Sequence, residues 1–248
     1  MPDNHLLAIP VYNEEPYVAR VLDQVRLHSK NILVVDDGST DKTPAILEKQ
    51  TDISVISHRE NRGYGQSLAD AFQFALDGGY AWLITMDCDE QHEPACIPRF
   101  VKAAATGYAD VISGTRYSNG HSHDGPAPKD RREINRLITN MLNQRLGLNL
   151  TDAFCGFKAY RVEALKHFRI TVPGYAMPMQ WWVQAARAGL RIEELPVPLI
   201  YKDTPRHFGG ALDNPVVRLR HYLEIFETEM TKASTPLPET CGTCRLAC

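Results

Sequence analysis

The stretch Met86-Asp87-Cys88-Asp89-Glu90-Gln91-His92 sets two carboxylates one residue apart, with an amide oxygen two residues further on. Past the end of a buried strand, Asp87 and Asp89 can point at one divalent cation, and Gln91 can add a neutral oxygen. Hard oxygen ligands suit Mg2+ or Mn2+, which keep some of their waters and bind substrate phosphates. A cation held there would neutralise a departing nucleoside diphosphate. Paired aspartates are common in turns, so the weight of this pair comes from the strand-forming run Leu83-Ile84-Thr85 in front of it.

Two further polar clusters sit in the same kind of place. Asn13-Glu14-Glu15 follows the apolar run ending at Val11, and Asp36-Asp37-Gly38-Ser39 follows Ile32-Leu33-Val34-Val35. Short apolar runs predict strands at residues 5–11, 31–36, 53–57, 80–86 and 109–113. Helical patterns between and after them cover residues 16–28, 41–50, 64–76 and 94–105. In the first helix Val18, Val21, Leu22 and Val25 share one face; Asp41 is placed to cap the second. Such alternation implies an α/β fold, a mostly parallel sheet with helices on both faces. Ligands of such sheets bind beyond the carboxyl ends of the strands, where all three clusters fall.

Residues 119–129, rich in Gly, Pro, His, Ser and Asp, read as a long binding loop or lid. Residues 131–146 then read as an amphipathic helix with Ile134, Leu137, Ile138, Met141 and Leu142 on one face. Residues 215–231 read as another, and 233–248 as a loose tail. The organisation expected is one domain over 1–212, a C-terminal helix at 213–232 and the tail.

With 248 residues the chain can bury a real core. Its net charge of −3 lacks the basic excess of a general nucleic-acid binder. The polar start does not read as a secretory signal, and no apolar run approaches the ~20 residues of a transmembrane helix. A cytoplasmic protein is expected, with peripheral contact at the membrane face. Without a secretory signal the six cysteines do not suggest a disulfide framework. Cys241, Cys244 and Cys248 have metal-like spacing but no evident fourth ligand, so they read as part of a reducible tail.

Taken in order, Ile9-Pro10-Val11-Tyr12-Asn13-Glu14-Glu15, Val34-Val35-Asp36-Asp37-Gly38-Ser39-Thr40-Asp41, Asn61-Arg62-Gly63-Tyr64-Gly65 and Met86-Asp87-Cys88-Asp89 resemble the family 2 glycosyltransferases, which have the GT-A fold. Residues 151–161, Thr151-Asp152-Ala153-Phe154-Cys155-Gly156-Phe157-Lys158-Ala159-Tyr160-Arg161, are similar to the segment marking the polyprenyl-phosphate branch, which includes dolichyl-phosphate mannose synthase. The resemblance covers about residues 5–210. It implies a metal-dependent, inverting transferase that uses Mn2+ or Mg2+. The donor would be a nucleotide sugar, GDP-mannose or a UDP-sugar, and the acceptor a polyprenyl phosphate. Pro10, Tyr12, Asn13 and Glu14 match positions that line the nucleotide pocket. Asp36 and Asp37 match the pair near base and ribose, and Asp87, Asp89 and Gln91 the metal and diphosphate cluster. Arg116 matches an arginine facing the phosphates or the acceptor, and Arg131 an acceptor-phosphate arginine.

The chain departs from the family pattern at Tyr64, where a basic residue is common, at Lys158, where arginine is common, and at Gln180, usually acidic. It departs again in the run 204–210. These departures point toward the sugar and acceptor side. If the acceptor were a hydroxyl, a general base would be needed, and Asp152 is the candidate. His92 follows the acidic cluster and reads as a loop histidine before it reads as a ligand. Trp181-Trp182 read as core before sugar platform. Arg131, Arg132, Arg136 and Arg145 could grip anionic phosphate or lipid headgroups; for Arg136 and Arg145 a solvated helix face fits about equally. A non-catalytic sugar-nucleotide sensor is the second class considered. A dinucleotide oxidoreductase is a third, opposed by the lack of a G-x-G-x-x-G after the first strand.

Overall fold

The computed structural model describes residues 4–118, 127–200 and 210–232. The sequence expectations for the 119–126 part of the loop, for 204–209 and for the tail lie outside these residues.

Seven strands form one sheet: β1 (His5–Val11), β2 (Ile32–Asp36), β3 (Ser54–Ser57), β4 (Trp82–Thr85), β5 (Val111–Thr115), β6 (Lys158–Arg161) and β7 (Ile192–Pro196), in the order β3-β2-β1-β4-β6-β5-β7. All pairings are parallel except those of β6, which runs antiparallel to both β4 and β5. Every residue of β2 and β4 is buried, as expected of parallel strands covered on both faces. Side chains alternate. Leu6 and Ala8 join a core containing the face of α3 (Tyr64–Asp77), α5 (Lys129–Leu146), α6 (Met177–Arg187) and α7 (Pro215–Thr231). Leu7, Ile9 and Val11 join the opposite core, with α1 (Val18–Val25), α2 (Thr43–Leu47) and α4 (Ile97–Ala105).

Three sequence expectations are corrected, and a strand outside the expected set, β6, lies between β4 and β5. That strand was unexpected because Lys-Ala-Tyr-Arg is short and charged at both ends; Lys158 is nevertheless buried, its ammonium 2.6 Å from the Ser113 hydroxyl and 5.0 Å from the Trp182 ring centre. In α5, Ile134, Ile138 and Leu142 are buried as expected, whereas Leu137 is 51% exposed. Helix α2 is shorter than 41–50; Asp41 accepts the Thr43 amide in a two-residue turn ahead of it (2.9 Å). Helix α7 does not stand apart. Tyr222 and Phe226 enter the core shared by α5 and α6, and buried Glu229 accepts hydrogen bonds from Gln180 (2.8 Å) and Gln184 (2.7 Å). No described helix is long and apolar enough to cross a membrane.

Candidate active site

A cavity of about 840 Å3 opens at the carboxyl ends of the strands. Its first end is built from the loops after β1 and β2, which are laced together. Asn13, in the left-handed region at φ 56°, accepts the Thr40 amide on Oδ1 (2.8 Å) and donates its own amide to the Ser39 hydroxyl (2.9 Å). The Glu14 amide donates to the Thr43 hydroxyl (2.9 Å). Asp36 turns inward and accepts the Ser39 amide (3.0 Å). Pro10, Tyr12, Glu14 and Asp37 line the cavity. Asn13 and Asp36 are not among the lining residues; their side chains hold the loops that shape it. Asp37 accepts the amides of Arg62 and Gly63 (2.8 Å each), and His58 bridges it to Asp70 with ring nitrogens 2.7 Å from both. The left-handed φ of Gly63 (96°) allows this approach, and a Cβ there would lie 2.4 Å from the Pro173 carbonyl oxygen.

The middle of the cavity carries Asp87, Asp89 and Gln91. Asp87 accepts from the Tyr64 hydroxyl (3.1 Å), and Tyr64 stacks on Tyr175 with ring centres 5.9 Å apart. Gly156, at the approach to β6, lies against this pair. A Cβ there would sit 2.8 Å from Asp87 Oδ2 and 2.9 Å from the Tyr64 oxygen. His92 is buried and turned into the protein, with Nδ1 accepting the Asp87 amide (2.9 Å), so it is not a cation ligand. Burial disfavours a charge on its ring, whereas Asp87, Cys155 and Asp89 favour one and lift its pKa to about 9. Accepting the amide requires a lone pair on Nδ1, which places the ring's proton on Nε2, 3.9 Å from Cys155 Sγ. Among the described residues no three His, Cys, Asp or Glu side chains form a cage for a cation. Two carboxylates and an amide oxygen on a cavity wall instead suit an ion that completes its shell with water and substrate phosphate.

The far end is basic and aromatic. Arg116, Arg131 and Arg218 reach the wall, among Tyr117, Phe154, Tyr175 and Tyr222. Arg116 is clamped by Asp152, with Nε to Oδ2 at 2.6 Å and Nη2 to Oδ1 at 2.9 Å. Asp152 also accepts from Asn135 (2.8 Å) and the Phe154 amide (3.1 Å). Burial alone would raise its pKa, but Arg116, Asn135 and the Phe154 amide outweigh it and hold the carboxyl well below the usual range. Asp152 is fully buried, does not line the cavity and is committed to Arg116. That corrects its candidacy as a general base. Arg218 is buried too, Nη2 lying 2.5 Å from Asp130 Oδ2 and Nη1 donating to the Leu212 carbonyl (2.9 Å).

Of the departures from the family pattern, Tyr64 is in the wall. Lys158 and Gln180 are not; both are buried in the core, and Gln180 accepts the Thr171 and Val172 amides (2.7 and 3.2 Å). Trp181 and Trp182 are also core. Arg145 pairs with Glu227 (2.9 Å) on the surface, away from the cavity wall. Sequence reasoning missed Arg218, Phe154, Tyr222 and Gly156. None of the four stands out by local pattern; Gly156 lies two residues before a strand that the sequence pattern itself does not announce.

The profile of the family "Glycosyl transferase family 2" matches residues 7–169. An undecaprenyl-phosphate mannosyltransferase of Micrococcus luteus is 32% identical over 228 residues, covering 88% of this chain and 93% of that protein. A polyprenol monophosphomannose synthase of Mycolicibacterium smegmatis is 29% identical, covering 77% of this chain and 76% of that protein. Among solved structures, glucosyl-3-phosphoglycerate synthase of Mycobacterium tuberculosis, in complex with Mn2+, UDP and phosphoglyceric acid, superposes with a TM-score of 0.70 over 94% of this chain and 80% of that one, at 19% identity. That likeness concerns the fold, which is the GT-A fold. The chain belongs to glycosyl transferase family 2 and is a glycosyltransferase.

Proposed function

We propose that this protein transfers a sugar, with inversion, from a nucleoside diphosphate donor to the phosphate of a polyprenyl phosphate at a membrane surface. The observation that carries this reading is the division of a single cavity into an acidic part and an arginine-rich, aromatic part. Pro10, Tyr12 and Asp37 would bind the nucleoside. Asp87 and Asp89, with Gln91, would hold Mn2+ or Mg2+, which when bound neutralises the leaving diphosphate. Arg116 and Arg131 would orient the acceptor phosphate, and Arg218 would add positive charge behind them. A phosphate oxygen forms the bond to the anomeric carbon as the bond to the diphosphate breaks, and the diphosphate leaves with the electron pair. The acceptor arrives ionised, so no base has to take its proton. That agrees with Asp152 being spent on Arg116.

The aromatic side chains beside the arginines suit the first isoprene units of a lipid. Exposed Val216, Val217 and Leu223 on α7, with Arg220 among them, suit contact with a bilayer surface. The relatives named for undecaprenyl-phosphate and polyprenol substrates support the same acceptor class. The test offers labelled UDP- and GDP-sugars with Mn2+ to the full chain, in one arm with polyprenyl phosphate in detergent and in the other with sugar hydroxyl acceptors. Label in the lipid phosphate product is expected. Label on a hydroxyl acceptor alone would overturn the reading.

A further inference from the structure

The turn carrying Asp87 and Asp89 has an unusual construction. β4 ends at Thr85, whose hydroxyl donates to the Gly156 carbonyl (2.8 Å). Met86 still donates its amide to Ala8 on β1 (3.2 Å), but the Asp87 amide leaves the strand and donates to His92 Nδ1 at 2.9 Å. A side chain five residues on thus closes residues 87–92 into a ring. Within it, Asp89 Oδ1 accepts the Gln91 amide (3.0 Å), and Glu90 takes a left-handed φ of 57°. A non-glycine residue in that region persists where its surroundings impose it. The imidazole in turn is fixed by the core. Its Nε2 is 3.9 Å from Cys155 Sγ, and its ring lies 5.3 Å from that of Phe157, which stacks on Phe100 at 4.3 Å. Cys155 is buried and adjoins Gly156, the residue whose missing side chain makes room for the Asp87 carboxylate.

We propose that His92 is a positioning residue for the cation: its Nδ1 lone pair, by holding the Asp87 amide, fixes the turn so that Asp87 and Asp89 face one ion. This rests on the reading of those two aspartates as cation ligands. The useful property of the ring is the acceptor at Nδ1. The alternative is that His92 only fills space against Phe157 and Cys155. Residues that orient metal ligands from behind change metal affinity when replaced, typically by roughly 10–100-fold.

Two substitutions separate these properties. His92→Asn keeps an acceptor near the Nδ1 position and gives up the ring. His92→Phe keeps a ring of similar shape and removes the acceptor. Free Mn2+ is followed by electron paramagnetic resonance as the full-length protein is titrated, first with Mn2+ alone and then in the presence of UDP or GDP. Thermal unfolding is recorded in parallel. We expect His92→Asn to bind Mn2+ like the wild type and His92→Phe to bind it roughly 10–100-fold more weakly. Binding of uridine and guanosine monophosphates without metal should be unchanged in both. A loss of Mn2+ affinity in His92→Asn, or wild-type affinity in His92→Phe, overturns the proposal. Either variant decides it alone if the other fails to fold. Should the wild type bind no Mn2+ with either nucleotide, the assignment of Asp87 and Asp89 fails first.

Discussion

At the acidic part of the cavity, the side chains hang from the ends of parallel strands. Asp37 follows β2 and accepts the amides of Arg62 and Gly63; Asp87 follows β4, its carboxylate accepting from the Tyr64 hydroxyl and its amide donating to His92 five residues on. At the arginine end, Arg116 leaves β5, Arg131 starts α5 and Arg218 starts α7, and the clamps span 36 residues for Arg116–Asp152 and 88 for Arg218–Asp130. The first end exposes negative charge to the cavity at a strand rim. The second pairs its positive charge with counter-charge, buried at Asp152 and partly exposed at Asp130, so the guanidinium planes of Arg116 and Arg218 are fixed before an anion arrives. Preorganised charge of this kind needs little rearrangement during transfer. On the proposed reading, one end gains a cation and the other receives an anion. Replacements at the two ends should differ in what they damage.

The largest effect should come from Asp89→Ala. Losing a charged ligand removes several kcal/mol of stabilisation from the departing diphosphate, so transfer should fall by roughly a thousandfold, with the thermal unfolding curve preserved. EDTA should reproduce the loss in the wild type and Mn2+ or Mg2+ should reverse it, measured as labelled product. An Asp89→Ala enzyme of wild-type rate would break the acidic half of the comparison.

At the other end, Asp152→Asn keeps the shape and deletes the counter-charge of Arg116. Breaking a buried pair from one side costs about 3 kcal/mol, and the acceptor KM should rise while donor affinity holds. The folded Asp152 pKa is depressed. Its contribution is therefore fully present above the unfolded carboxyl value of about 4 and is lost as pH falls toward the folded value. Wild type and variant should differ clearly in melting temperature at neutral pH and converge in acid below that value. An undiminished gap in acid would mean that Asp152 stabilises by shape alone.

Gly156→Ala tests how closely the acidic end is supported from behind. The added Cβ would meet the Asp87 carboxylate and the Tyr64 hydroxyl. Overpacking costs about 1–3 kcal/mol, and here it displaces a proposed cation ligand. Transfer should fall about tenfold, with the Mn2+ concentration needed for half-maximal rate raised. A variant that loses stability but keeps its Mn2+ dependence would separate Gly156 from the cation.

The difference between the ends also explains what could be read in advance. The acidic part is local: a strand, a turn and two carboxylates occupy residues 82–91, so pattern and spacing reveal it. Buried strands such as β2 and β4 announce themselves by continuous apolar or strand-forming runs. The arginine end depends on pairings that no local pattern contains. Asp152 looks like a catalytic carboxylate in sequence because its partner is 36 residues away. Lys158 looks polar, yet burial between Ser113 and the tryptophans makes it part of a strand that splits β4 from β5. Arg218 lies on a helix whose apolar face gives no hint that an arginine on it reaches the cavity.

The smallest effect should come from Arg145→Ala, which asks where the arginine end stops. Arg145 is on α5, as Arg131 is; both are basic residues of one helix, although only Arg131 matches an acceptor-phosphate arginine of the family. The structure separates them. Arg131 reaches the cavity wall at the start of the helix, whereas Arg145 sits in its last turn, 2.9 Å from Glu227 on α7, with its guanidinium 5.3 Å from the Phe226 ring centre. Both partners of that ion pair are about half exposed, 46% and 52%. Pairs in such a setting contribute about 0.2–1 kcal/mol, screened further by salt. Arg145→Ala should lower the melting temperature slightly, and less so at high salt. Turnover with polyprenyl phosphate in detergent should not change. Repeating the assay with the acceptor in anionic vesicles makes the test sharper, because there a basic helix face could contribute through the lipid surface. Unchanged rates in both formats would confine the anion-handling role to the cavity arginines, and a loss seen only on vesicles would extend it along α5 to the bilayer.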